Sequence, residues 1–148
     1  ILESGSGILP LNWEEKQRLE AAATLDAAVN GLRRAGRSDI LPSGLLTRAW
    51  LRFLTAARTG PESAQSDLDE AWEIAQRGPM PLFLADIRLS RVRLFGSLKW
   101  EVGSGKEEEK YPWMSPQADL AEARRLIEKH GYGRRQEELE DAERAILG

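Results

Sequence analysis

Residues 25–32 read Leu-Asp-Ala-Ala-Val-Asn-Gly-Leu, and residues 68–75 read Leu-Asp-Glu-Ala-Trp-Glu-Ile-Ala. Both segments place apolar or small side chains at offsets 0, 3, 4 and 7, the period of one face of an α-helix. Residues 120–127 repeat three of these offsets, with Arg124 in the remaining one. A glycine follows each segment, at Gly36, Gly78 and Gly131, where helices commonly stop. A recurring helix-sized unit predicts a stacked array of helices.

Capping residues and helix breakers divide residues 12–147 into six predicted helices. Asn12, Ser43 and Ser115 are expected to be N-caps, and Pro61 is expected to open a helix. The predicted helical ranges are 12–35, 44–58, 62–77, 81–101, 116–130 and 135–147. The fourth has apolar rows on two sides, typical of a helix between neighbours, and the last has the narrow apolar stripe of a terminal cap. Residues 1–11 are expected to be irregular, and no segment predicts a strand, so the predicted class is all-α.

The helices are expected to pair as antiparallel hairpins, 44–77 and 81–130, whose second helices share a pattern of Ala, a large residue and Ala at offsets 0, 4 and 7. Ala64, Leu68 and Ala71 fit it, as do Ala21, Leu25 and Ala28, whereas Pro116 replaces the first alanine of the third copy. In this pattern the chain resembles the tetratricopeptide repeat family, although its repeats exceed that family's usual length of about 34 residues. The resemblance implies a right-handed superhelical scaffold that binds a peptide, a helix or another copy of itself.

The ending of the chain, residues 128–139, resembles repeat regions of large bacterial signalling and defence proteins. We therefore expect a cytoplasmic interaction domain within a larger multidomain protein, with Ser4 to Gly7 as a linker. The alternative is a ligand-sensing regulatory module that binds a small molecule in its concave groove. A closed pocket with converging polar groups would favour that alternative over an open groove.

Arginines on the first helices of the pairs are the predicted binding residues. The resemblance places the partner surface on these helices, which carry Arg48 and Arg52, four residues apart, and Arg88 and Arg91, three apart. Each pair therefore lies on one side of its helix, and guanidinium groups bind carboxylates with two parallel hydrogen bonds. The hypothesis is a groove for an acidic peptide. The alternative is that these arginines are solvated or pair between helices with carboxylates of the chain itself, namely Asp67, Asp69, Glu70 and Asp86.

Aromatic residues flank the polar loop at 103–110 and form a second candidate site. Trp100, Tyr111 and Trp113 are an anchor patch for a partner if they are exposed, and part of the hairpin end if they pack together. Trp13 is expected to cover the N-terminal edge of the stack, where no neighbouring helix is expected. Because that edge should be apolar, it could drive formation of a homodimer.

Composition argues against several other functions. The chain has 148 residues, the length of one domain, and a net charge of −3, which does not favour nucleic-acid binding. It lacks cysteine, and no apolar run reaches membrane-spanning length. The single histidine, His130, is expected near a helix C-terminus, where the helix dipole stabilises its charge. No catalytic residue, metal site or cofactor is therefore predicted, and we expect that the chain is not an enzyme.

Overall fold

The computed structural model describes residues 12–55, 57–96 and 111–147, and these residues form helices and no β-strand. The all-α prediction is confirmed. The α-helices are α1 (Trp13–Arg34), α2 (Leu41–Leu54), α3 (Ala64–Arg77), α4 (Pro81–Arg91), α5 (Pro116–His130) and α6 (Gln136–Leu147). A π-helical turn, Val92–Gly96, extends α4, and a 3₁₀ turn, Gly133–Arg135, precedes α6.

Two predicted N-caps are confirmed, as are the predicted stops at Gly36, which follows α1 with a φ of 68°, and at Gly131. The side chain of Asn12 accepts a hydrogen bond from the Glu15 amide at 2.8 Å, and the Glu15 carboxylate accepts one from the Asn12 amide at 3.3 Å. Ser115 accepts from the Ala118 amide at 3.0 Å. Beyond α5, Gly131 has a φ of 69°, and the next amide, of Tyr132, donates to the Ile127 carbonyl at 3.0 Å. This is the expected Schellman stop, in which a left-handed glycine lets the chain bond back on the last turn.

The boundaries of α2 and α3 differ from the prediction. Ser43 is not an N-cap, because α2 begins at Leu41 and contains Pro42 in its first turn, where a missing amide hydrogen costs nothing. The same helix ends at Leu54 rather than at residue 58. Helix α3 begins at Ala64, after Pro61, because Ser63 and Ser66 form a reciprocal capping pair there.

The fourth helix also differs from its predicted range of 81–101. Its α-helical part ends at Arg91 and continues as a π-helical turn to Gly96. A side chain at Gly96 would come within 3.3 Å of Val92 Cγ1 and 3.5 Å of Pro116 Cβ, so a glycine permits the close approach of α5. Residues 97–101 of the prediction, and the polar loop after them, lie outside the described residues.

Each helix packs against its neighbour in sequence, and α4 also contacts both α2 and α6. Two apolar clusters result. The first lies between α1, α2, α3 and α4, with Leu45, Leu68 and Phe95 at its centre. The second joins α4, α5 and α6 through Leu89 and Ala123, among others. The stack therefore has two cores, and α4 contributes to both.

The helices at the two ends are less buried than the middle ones. Leu68 is fully buried, but its counterparts Leu25 and Leu120 are partly exposed, so the three leucines do not occupy equally buried positions. The expectation that Trp13 covers the N-terminal edge is wrong, because its side chain is 73% exposed. Val29 is the only buried residue of α1 in the structure as described.

Candidate functional site

The first predicted arginine pair lies between α1, α2 and α3. Arg48 Nε and Nη2 donate to the Asp67 carboxylate at 3.1 and 2.8 Å, and its Nη1 donates to Asp26 at 3.1 Å. Arg52 Nη1 donates to Asp67 at 3.1 Å. Asp67 is only 1% exposed, so water does not solvate its charge. The two guanidinium groups stabilise that charge instead.

The second predicted pair lies between α4 and α5. Arg88 Nη1 donates to Asp119 Oδ1 at 2.8 Å, and Arg91 Nη1 donates to the same oxygen at 3.4 Å. The Tyr111 hydroxyl donates to Asp119 Oδ2. Both arginine pairs thus bond to carboxylates of the chain itself, as the alternative interpretation expected.

The carboxylates that pair with these arginines are only partly the expected ones. Of the four named from the sequence, Asp67 alone accepts their hydrogen bonds among the described residues. Glu70 accepts instead from Arg33, Asp86 from Arg135, and Asp69 from the indole of Trp113. Asp119 was not anticipated.

The buried ion pair repeats with the period of the helical segments. Arg48 and Arg91, both largely buried, are 43 residues apart, which is also the distance between the leucines that open the first two segments. Their partners Asp67 and Asp119 each directly precede the leucine that opens the next segment. A single arrangement, a buried arginine on one helix bonded to an aspartate on the following helix, therefore occurs twice.

Burial and ion pairing shift the pKa of three groups in these clusters. Burial opposes the charge of Arg48, but its bonds to Asp67 and Asp26 outweigh that effect and raise its pKa. Burial lowers the pKa of Arg91 despite the attraction of Asp119. For the Tyr111 hydroxyl, burial and then the hydrogen bond to Asp119 raise the pKa, because ionisation would place two negative charges together.

The predicted anchor residues that the structure describes pack against the second arginine pair. The Arg91 guanidinium lies 4.5 Å from the ring centre of Trp72 and 4.6 Å from that of Trp113, so it is held between two indoles. Trp113 also meets Tyr111 edge-to-face, with ring centres 5.3 Å apart, and its Nε1 donates to Asp69 at 2.9 Å. Tyr111 and Trp113 are therefore packed, whereas Trp100 lies outside the described residues.

A different surface, which we call the interhelix groove, lies between α2, α4 and the start of α6. The groove has a volume of about 430 Å³ and opens to solvent, and its lining residues are Ser43, Leu46, Thr47, Trp50, Asp86, Leu89, Ser90, Arg93, Arg135 and Glu138. On α4, at 100° per residue, the groove residues Asp86 and Ser90 lie about 100–160° around the helix axis from Arg88 and Arg91. The four predicted arginines consequently do not line the groove between the first helices.

Polar contacts fix the walls of the interhelix groove. Trp50 Nε1 donates to Ser90 Oγ at 3.3 Å, which ties α2 to α4, and the Arg93 guanidinium lies 4.8 Å from the Trp50 ring centre. Arg135 donates to both oxygens of Asp86 at 2.6 and 3.2 Å and so ties the start of α6 to α4. The groove thus has an aromatic wall and a mixed-charge wall.

Sequence reasoning missed the groove residues, although a signal for them exists. At the 43-residue spacing, Leu46 corresponds to Leu89 and Thr47 to Ser90, so α2 and α4 present matching positions. The same spacing aligns Ala49 with Val92, both fully buried, and Arg48 with Arg91. Aligning whole helices would have separated the groove face from the buried arginines.

The described residues support neither a metal site nor a membrane-spanning helix. They contain no group of His, Cys, Asp and Glu side chains arranged to hold a metal ion. His130 ends α5, and its ring stacks on Tyr132 with ring centres 5.4 Å apart. No helix in the described ranges is both long and apolar enough to cross a bilayer.

Comparison with known proteins identifies no relative. No protein-family model matches the chain, and neither a curated protein nor a solved structure matches it. The geometry of the chain itself is therefore the basis for inferring its function.

Proposed function

We propose that this chain is a protein-interaction scaffold of the tetratricopeptide type, which binds a peptide or helical segment of a partner in the interhelix groove. The observation that supports the proposal is the joint lining of one open groove by matching positions of α2 and α4. Repeat proteins commonly build extended binding surfaces in this way, because each repeat adds an equivalent face. The proposal assigns no catalytic residue, and a cytoplasmic location stays a prediction.

The composition of the groove supports binding to a protein segment. Trp50 is partly exposed there, and Arg93 and Arg135 line the same surface; tryptophan and arginine are the residues most often found at the energetic centre of interfaces. The four arginines named from the sequence receive a structural role in this proposal, because their guanidinium groups are bonded to Asp67 and Asp119.

The openness of the surface favours a peptide over a small molecule. Sites for small molecules usually enclose most of the ligand surface, whereas this groove and the clefts beside the two arginine pairs open to solvent. A segment lying across two repeats contacts both walls without being enclosed. The small-molecule alternative is therefore not adopted.

Selection from a random peptide library, followed by calorimetry, tests the proposal. We expect the selected peptides to lose about tenfold or more in affinity for Thr47→Tyr, which places a bulky neutral ring in the groove. Gln76→Tyr, at another exposed position, on α3 and outside the groove, is the matched control and should bind as the unmodified chain does.

Two results would contradict the proposal. One is a selection that yields no binding peptide. The other is a set of peptides whose affinity is the same for Thr47→Tyr and Gln76→Tyr, or whose amide chemical-shift changes map to the arginine clefts instead of to Ser43 and Ser90.

A further inference from the structure

Three of the four charged residues that line the interhelix groove have an ion-pair partner among the described residues. Arg135 pairs with Asp86 at 2.6 Å, and Arg93 pairs with Asp141 at 3.3 Å. Glu138, which lines the same groove, is left as the acidic side chain outside these two ion pairs. Arg135 does interact electrostatically with Glu138, but its Nε and Nη2 donate to Asp86.

The unmatched carboxylate carries a second signal. Glu138 Oε2 is buried and has no hydrogen-bond partner among the described residues. Leaving a buried acceptor without a donor is costly, and such groups are few in folded proteins. Glu138 as a whole is partly exposed and lines the groove, so its carboxylate can turn to meet a donor supplied by a bound molecule.

We infer that the partner segment in the interhelix groove is basic and that one lysine or arginine of it donates to the Glu138 carboxylate. This inference rests on the proposed function and names the chemistry of the ligand at the same site. The aliphatic stem of a lysine or arginine can pack on apolar surface while its charged end is bonded, and Leu46 and Trp50 provide such surface in the same groove as Glu138. The acidic partner expected from the sequence depended on arginines that do not line this groove.

The test compares selected peptides on charge variants of Glu138. We expect peptides selected on the unmodified chain to be enriched in lysine or arginine at one position, and Glu138→Lys to change that preference to aspartate or glutamate. Replacing this basic residue by norleucine should weaken binding to the unmodified chain about tenfold and should not alter binding to Glu138→Gln. Glu137→Gln, an exposed neighbour, is the matched control and should keep the tenfold effect.

The outcomes separate the two proposals. Peptides that bind equally to Thr47→Tyr overturn the groove as the binding site. Peptides that need the groove but show no basic preference, or whose preference persists in Glu138→Gln, overturn this inference alone. If Glu138→Lys fails to fold by circular dichroism, the norleucine comparison on Glu138→Gln decides.

Discussion

At the scale of single residues, the repeated arginine–aspartate pair contains the most deeply buried charges of the described structure. Asp67 lies almost completely out of solvent and accepts hydrogen bonds from Arg48 and Arg52. Removing a carboxylate from water costs several kcal/mol, and only close, well-aligned partners offset that cost. An arginine suits this role better than a lysine because its planar group donates in two directions, here toward Asp67 and Asp26.

We predict that Asp67→Asn lowers the free energy of unfolding by about 3–5 kcal/mol, because it leaves the buried Arg48 and the partly exposed Arg52 with only the half-exposed Asp26 as counter-charge. Asp26→Asn is the control: its side chain is 51% exposed, so we expect a loss of at most about 1 kcal/mol. Urea unfolding followed by circular dichroism measures both. Equal losses of unfolding free energy in the two variants would contradict the prediction, because the burial of Asp67 would then not add to the cost of removing its charge.

Because of Tyr111, we expect the free energy of unfolding to decrease as the pH rises into the alkaline range. Its pKa is raised in the folded state, so above pH about 10 the unfolded chain releases the proton while the folded chain retains it. The contribution of the hydroxyl is therefore full below pH 10 and is lost as the pH rises further, by about 1.4 kcal/mol per pH unit. We predict that Tyr111→Phe costs about 1.5–3 kcal/mol at pH 7 and that the difference from the unmodified chain narrows above pH 10. Urea unfolding at pH 7 to 11 checks this, and a constant difference would contradict it.

The positions of these residues could be predicted from the sequence only in part. The spacing of Arg48 and Arg52 placed them on one side of a helix, and that is observed. Spacing does not say which way that side faces, because the rotation of a helix about its axis is decided by packing with its neighbours. The sequence did contain a signal for the direction in which the arginines face, namely the aspartate that directly precedes each of Leu68 and Leu120.

At the scale of helices, local capping chemistry was predictable where a single residue decided the boundary. Asn12 and Ser115 are caps as predicted, since each supplies an oxygen to an otherwise unbonded amide. Ser43 offered the same chemistry, but Pro42 also fits a first helical turn, and packing of Leu41 in the core extended the helix to include both. Where two local signals compete, tertiary contacts choose between them.

Helix α1 carries the exposed surface on which the predicted self-association depends. Leu19, Ala23 and Ala27 are exposed and lie four residues apart, so they form one row on the helix. We predict weak dimerisation through this row, detected as a rise in average mass with concentration in sedimentation equilibrium. Leu19→Glu should abolish the rise, and Gln17→Glu, at another exposed position, should leave it unchanged. Equal effects of the two variants, or a monomer at every concentration, would contradict the prediction.

At the scale of the whole molecule, α4 joins two cores that otherwise share little. The sequence predicted two apolar rows on this helix, and the structure places Ile87 in the first cluster and Leu89 in the second. Phe95, in the π-helical turn after Arg91, also lies in the first cluster, and that turn changes the rotation per residue. Periodicity predicted a helix between neighbours but not this local change of period.

An array in which helices contact mainly their neighbours should lose stability locally rather than all at once. We predict that Leu139→Ala, in the second cluster, increases amide hydrogen exchange in α5 and α6 more than in α3, whereas Leu45→Ala, in the first, has the opposite distribution. Each truncation removes a buried side chain and should cost about 2–5 kcal/mol. Exchange resolved by mass spectrometry of peptides measures the distribution. If both variants raised exchange equally in every helix, the two clusters would unfold as one cooperative unit, and α4 would transmit the loss of either core completely to the other.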